Sequence, residues 1–363
     1  MKLKTIAVIF AISWPFCFSA QAAEFCVTNS IELKNALTSS QNNSQSDVIK
    51  IVTGSYTGGF SYLGSEDFHL TISGGWSDFF GNPCGHQIHT PLDTILDGND
   101  TQRVMLIQAW AGSNISISNM AIIDGDAYPA SAGGLEIRSH ENYVGDVLVE
   151  KVAFVNNKGF FHSALATSRG RKITVRNNIF AVNENITGNG TVEINDAGLG
   201  IYFNNNTIVL NTSLANDAGV NSGLRATLYE GAGLFVANNL FWDNDGHDVT
   251  FIDVDMITTE SYLYNNNIDT YVGTIHNVEN NFTAQPIFDN DIFLAPTIAS
   301  QEVNNGRNSP LFVPVPPPFN MQWGVGITDF NGNARIQDDK VDVGAIEVEP
   351  EEPIFKNGFE IIL

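Results

Sequence analysis

Apolar residues in this chain recur in short runs with bends between them, not in helical stripes, and six of these runs superpose in one register. They are 117–122 (ISNMAI), 149–154 (VEKVAF), 175–180 (VRNNIF), 203–208 (FNNNTI), 236–241 (VANNLF) and 263–268 (LYNNNI), with starts 32, 26, 28, 33 and 27 residues apart. A period of that size means one supersecondary unit stacked many times, because no single unit can bury its apolar face alone. Each run opens on an apolar residue in a β-favouring stretch and closes on Ile or Phe five positions later.

Polar positions are as regular as apolar ones. At the third offset stand Met120, Val152, Asn178, Asn206, Asn239 and Asn266, and the four Asn each follow another, at Asn177, Asn205, Asn238 and Asn265. Asn tolerates left-handed backbone angles, so the pair predicts a sharp bend between two short strands, with amides free to bond along the stack. Asn157, Asn183, Asn211 and Asn244, with Gly125 in the first unit, mark a second bend three residues after each run. Leucine-rich repeats need Leu at several fixed offsets and a helical stretch. Propeller blades are longer and carry their own aromatic signature. The pattern therefore predicts an all-β fold: a single-stranded right-handed parallel β-helix, a solenoid with an N-terminal capping helix and roughly nine turns at ~4.8 Å spacing. The Asn residues are assigned to turns and ladders, not to function.

The one helical segment is 29–37 (NSIELKNAL). Asn29 stands as N-cap, Glu32 completes a capping box, and Leu33, Ala36 and Leu37 form a single apolar stripe suited to closing an open end of the stack. Further strands are expected at 47–52, 54–56 and 69–72, with a loop over 74–95. Pro-rich 314–318 cannot lie within a sheet, and 347–352 (EVEPEE) is an acidic linker. The organisation expected is a signal peptide over 1–22, an N-terminal cap over 23–45, repeats over 46–300, a closing segment over 301–347, and a linker and tail over 348–363.

The basic start MKLK, the apolar run 6–16 and Ala20-Gln21-Ala22 read as a secretory signal cleaved after Ala22. Cys17 leaves with it, which makes Cys26 and Cys84 a pair. In an exported protein that pair is most simply a disulfide bracing the cap. No later apolar stretch approaches the ~20 residues of a spanning helix. Removing Lys2 and Lys4 from 17 basic residues leaves 15 against 40 acidic ones, a balance of −25. Such charge repels nucleic acid and anionic membranes, and disfavours a polyanionic glycan unless basic side chains cluster or calcium bridges.

Candidate chemistry is sparse. Asp97 with Asp100 and Asp124 with Asp126 are the nearest approach to acidic clusters, but Asp97 and Asp124 precede Gly after an apolar strand, which is turn grammar. Arg169, Arg171, Lys172 and Arg176, near His162, form the one basic cluster. The stretch 329–333 (DFNGN) starts like a calcium loop. Ala334 and Lys340 then stand where Gly and a closing acid are required, so no metal or other cofactor is assigned. No catalytic residue is assigned.

The opening helix, VIKIVTGSY, SGGW at 73–76 and ILDG resemble right-handed β-helix proteins of bacterial surfaces. The segments NSPL at 308–311, DFNGNAR at 329–335 and VDVGAIE at 341–347 resemble the end of the choice-of-anchor Q family, and IFKNGFE at 354–360 is similar to the GFE-type ends of exported gammaproteobacterial proteins. The chain departs from the family after SPL, where Phe312-Val313-Pro314 replace an acidic residue and a small turn. The resemblance implies an exported β-helix with a sorting or attachment tail, and implies no reaction. The expectation is a monomeric, non-catalytic protein of the cell surface or extracellular space that binds glycans or surface components or builds structure. The alternative is a polysaccharide lyase or glycoside hydrolase with a groove site drawn from several turns.

Overall fold

A computed structural model describes residues 22–308 and 325–349, apart from 89, 141, 143, 196–197, 216–218, 230, 258–259, 290–293 and 338. The expected signal peptide, the SPL element, the Pro-rich stretch and the C-terminal tail lie outside the described residues. The rest is all-β and solenoid-like. A first sheet runs through ten successive parallel strands, from Ala23–Val27 and Asp47–Val52 through Val147–Val155 and Gly200–Asn204 to Asn277–Glu279. A second sheet of eight parallel strands runs from Phe60–Leu63 to Tyr271–Val272, and a small third joins Lys158–Gly159, Glu184–Asn185 and Thr212–Ser213.

The six sequence runs pair in the register of their alignment. Ile117 faces Val149, Val149 faces Val175, Val175 faces Phe203, Phe203 faces Val236 and Val236 faces Leu263. Ile122, Phe154, Phe180, Ile208, Phe241 and Ile268 belong to one buried column. Within it the Phe154 and Phe180 rings stack at 4.9 Å, and Phe180 and Phe203 at 6.3 Å. A seventh unit follows: Leu263 pairs with Val278, and Asn280-Asn281 repeat the bend after only 15 residues.

The two Asn of each bend do different work. The first is left-handed, with φ of 54, 53, 57, 51 and 52° at Asn177, Asn205, Asn238, Asn265 and Asn280. The second points inward and forms a ladder. The Asn206 amide donates to Asn239 Oδ1 at 3.0 Å and to the Val175 carbonyl at 3.0 Å, while its own Oδ1 accepts the Asn178 amide and backbone N–H at 3.0 and 3.1 Å. The pattern repeats from Asn178 to Asn281. Asn157, Asn183, Asn211 and Asn244 make a parallel ladder at the second bend. There the left-handed residue is the one before the Asn (Asn156, Val182, Leu210, Asp243), so the conserved-offset Asn is a rung and its neighbour the hinge. Gly125 continues this position because a Cβ there would lie 2.1 Å from the Gly133 carbonyl oxygen.

At the N-terminal end the helix Ser30–Ser39 is capped by Asn29, whose Oδ1 accepts the Ile31 and Glu32 N–H groups. Glu32 reaches back to the N–H and hydroxyl of Thr28, one residue beyond the Asn29 N–H of the expected capping box. Leu33, Ala36 and Leu37 are buried against the stack, as their stripe predicted. Residues 23–27, expected in the cap, add a strand to the first sheet. Cys26 in that strand is disulfide-bonded to Cys84.

Of the segment 301–347, read from sequence as a closing element, the described parts 301–308 and 325–347 lie along the flank of the stack as a strap. The outward amides of the left-handed Asn hold its backbone: Asn265 donates to Asn305 O, Asn238 to Arg307 O, Asn205 to Asp342 O, and Asn177 to Val325 O and Thr328 O, all between 2.9 and 3.1 Å. Phe330, Val343, Ala345 and Ile346 cover outward apolar residues of the first sheet, including Ile179, Val209 and Leu240. A buried polar knot closes the strap on itself. Arg335 donates to the carbonyls of Asp342, Gly344 and Ala345, and its Nε lies 3.0 Å from Glu347 Oε1, a charge contact outside hydrogen-bond alignment. Glu347 and Asp329 accept backbone N–H bonds from Asp342 and from Glu347 and Asn333.

Three buried carboxyls thus share one guanidinium. Burial outweighs the pull of Arg335 and pushes Glu347 up to about 8; it raises Asp329 and Asp342 as well.

Removing a rung and removing a core ring should each cost several kcal/mol. Phe180→Ala should lose about 3–5 kcal/mol through its cavity. Asn206→Ala strands two buried donors of Asn178 and should lose more than about 2 kcal/mol. Denaturant unfolding measures both, and a loss below about 1 kcal/mol for Asn206→Ala would refute the ladder. The knot adds a pH signature. A carboxyl raised from 4.5 to about 8 holds a proton in the folded state that the unfolded chain gives up, so its stabilisation is complete below 4.5 and is lost as pH rises through about 8. Hydrogen exchange of residues 325–349 should accelerate across that rise, and Glu347→Gln should flatten the dependence.

Candidate functional site

The acids singled out from sequence are spent on turns. Asp97 Oδ1 accepts the Asn99 N–H at 2.7 Å, and Asp126 Oδ1 the Tyr128 N–H at 2.9 Å. Asp124 is itself left-handed and accepts the Asn156 amide, and Asp100 pairs with Lys158 at 3.2 Å. The basic cluster is divided: Arg171 and Lys172 pair with Asp146, Arg176 with Glu150, while His162 sits on another face against Glu193. Asp329 is buried in the strap knot and its side chain serves backbone N–H groups. Among the described residues no group of three or more His, Cys, Asp or Glu is placed to hold a metal ion.

A different constellation forms on the second sheet. In strands Leu135–Ser139, Leu165–Ser168, Val192–Asn195 and Asn221–Leu228, alternate residues point inward: Leu135 and Ile137, Leu165 and Thr167, Val192 and Ile194, Leu224 and Ala226 are buried. The residues between them make two outward rows. One reads Glu136, Ala166, Glu193, Arg225, and the other Arg138, Ser168, Asn195, Thr227. Among the described residues the apolar contacts of the strap are with the first sheet, not with this face.

The first row is a floor of paired charges. Arg103 reaches Glu136 at 2.8 Å and Arg138 lies 3.4 Å from the same carboxylate. His162 Nε2 contacts Glu193, with Arg225 at 3.9 Å on its other oxygen. Glu136 and Glu193 stand two strands apart, their backbones ~10 Å from each other at the parallel-sheet spacing, with the small buried Ala166 between them. Their side chains are only 14% and 18% exposed, so these pairs are partly desolvated and fixed. Arg138 Nε, His162 Nδ1 and Asn195 Oδ1 are buried and have no hydrogen-bond partner among the described residues.

Aromatic side chains border the floor on both sides. Upstream of the strands, Tyr128, Phe160 and Phe161 pack edge to face, and Phe161 leads directly into His162. Downstream, Trp110 stacks on His140 at 5.0 Å. Beside that edge Ser168, Arg169, Asn195 and Tyr229 line a recess of about 330 Å³. Arg103 ties floor to rim, donating to the carbonyls of Ser131 and Ala132 in the loop that carries Tyr128. The arrangement offers fixed hydrogen-bonding charges flanked by flat apolar surfaces. Among the described residues no helix is long and apolar enough to cross a membrane. Comparison with family models, curated proteins and solved structures finds no match.

Proposed function

We propose that this chain is an exported, non-catalytic right-handed parallel β-helix of the choice-of-anchor Q type, which binds glycans on the open face of its second sheet at the cell surface or outside the cell. The floor formed by the Glu136 and Glu193 carboxylates with Arg103, Arg225 and the His162 imidazole carries the reading. Sugar hydroxyls both donate and accept, and fixed carboxylates beside guanidinium groups offer both partners to one ring. The signal-like start and the Cys26–Cys84 disulfide support export, because disulfides persist in oxidising compartments. The acidic balance of −23 disfavours nucleic acid.

One observation favours a second reading, a glycoside hydrolase or lyase. Glu136 and Glu193 project from one face two strands apart, and inverting glycosidases use two carboxyl groups about 6.5–9.5 Å apart on facing sides of a sugar. Against it, each carboxylate is already engaged by cationic or imidazole groups, whereas a general acid must present its carboxyl to a leaving group.

Isothermal titration of the mature protein against cello-, xylo-, manno- and galacturono-oligosaccharides should show binding to at least one of them. Neither unsaturated nor reducing ends should be released, with or without calcium. Glu193→Gln should weaken the binding roughly tenfold. Failure of every glycan to bind would sink the proposal. Product release abolished by Glu136→Gln or Glu193→Gln would establish the enzyme instead.

A further inference from the structure

We infer that Tyr128, Phe160 and Phe161 form a stacking platform for pyranose rings at the upstream edge of the second sheet, and that the ligand is therefore a glycan whose sugar units present an uninterrupted C–H face. This inference rests on the glycan-binding reading and adds to it a subsite and a class of sugar.

Single exposed apolar residues are ordinary on protein surfaces. This group is contiguous. Tyr128 is 65% exposed and Phe161 43%, and they are joined through Phe160 by contacts of 5.9 Å at 67° and 4.8 Å at 87°. An exposed aromatic patch beside a polar floor marks an interaction surface. Edge-to-face packing directs the edge of one ring at the face of the next, so the three rings fix one another in place without all their faces being consumed.

The backbone beneath them is held from neighbouring coils. The Phe160 N–H donates to Ala130 O at 3.0 Å, and Thr187 donates to Phe160 O through its N–H at 3.1 Å and its hydroxyl at 3.0 Å. Tyr128 is held by its N–H bond to Asp126, and its loop by Arg103. Little ordering is therefore left to be done on binding.

Proximity to the floor selects the occupant. The Phe161 and His162 rings lie 6.3 Å apart, and His162 contacts Glu193. One sugar ring can thus lay its C–H face, weakly positive, on an aromatic face, weakly negative, while its equatorial hydroxyls reach the imidazole and carboxylate. A lipid chain would have no use for the charged floor, and an extended polyanion would meet the acidic surface of the protein.

The test uses the mature full chain with cellohexaose and xylohexaose as probes and a galacturonate hexamer as the polyanion expected not to bind; binding of the galacturonate hexamer alone would overturn the inference. Phe161→Ala and Tyr128→Ala should each weaken binding of the probe that binds wild type by roughly five- to tenfold. Phe161→Trp should keep it or tighten it, and the thermal midpoints should stay unchanged because both side chains are exposed. Saturation transferred from aromatic protons should appear on the C–H face of the sugar. If both Ala variants bind within twofold of wild type while Glu193→Gln loses affinity, the platform is overturned and the groove reading stands. If no probe binds the wild type, both are overturned.

Discussion

A stack of parallel strands must turn corners, and at each corner the backbone leaves the sheet with its N–H and C=O groups pointed into the core. The asparagine ladder is the answer to that constraint. Each inward amide takes over a neighbouring backbone N–H and C=O and passes a hydrogen bond to the next coil, so these backbone groups are answered at the bend. The left-handed Asn beside it makes the turn itself. Everything else in the repeat is held to this pair. Coils may vary between them in length, as the loop at 77–93 and the short coil before Asn281 do, but the bends may not move.

The same bend divides the molecule into a side that is closed and a side that is open. The outward amides of Asn177, Asn205, Asn238 and Asn265 hold the strap, and the strap covers the outer face of the first sheet. Among the described residues the strap leaves the second sheet uncovered, with its charged rows and aromatic rims. Structure and recognition are thus assigned to different faces of one repeat. Substitutions in the floor, at Glu136 or Glu193, touch neither ladder nor core.

The sequence made the first sheet legible because its inward and bend positions are fixed by packing and hydrogen bonding: all six aligned runs pair as superposed. The seventh unit is hidden in the sequence because Val278 follows Leu263 by about half the usual interval, although its Asn280-Asn281 pair repeats the bend. The candidate site was not legible. The acids that stand out in the sequence, Asp97 and Asp124, follow apolar strands, and these are the places where turn chemistry concentrates. Glu136 and Glu193 lie 57 positions apart in the chain, and only the register of the second sheet puts them on one face two strands apart. The alternations LEIR, LATS, VEIN and LRAT, one per coil, are the signal that would have pointed to an outward row.

The strap has a consequence for how the molecule is assembled. Its residues follow the coils in the chain, so during synthesis the strip around Ile179, Val209 and Leu240 waits in water beside a row of unanswered asparagine amides. Any extended segment of suitable pattern can dock there in the interval. The molecule's own strap wins because its tether keeps it at a high effective concentration, above that of any free competitor. When many copies are crowded together that advantage shrinks, and a strap laid on a neighbour's flank gives an exchanged pair of molecules built from native contacts alone.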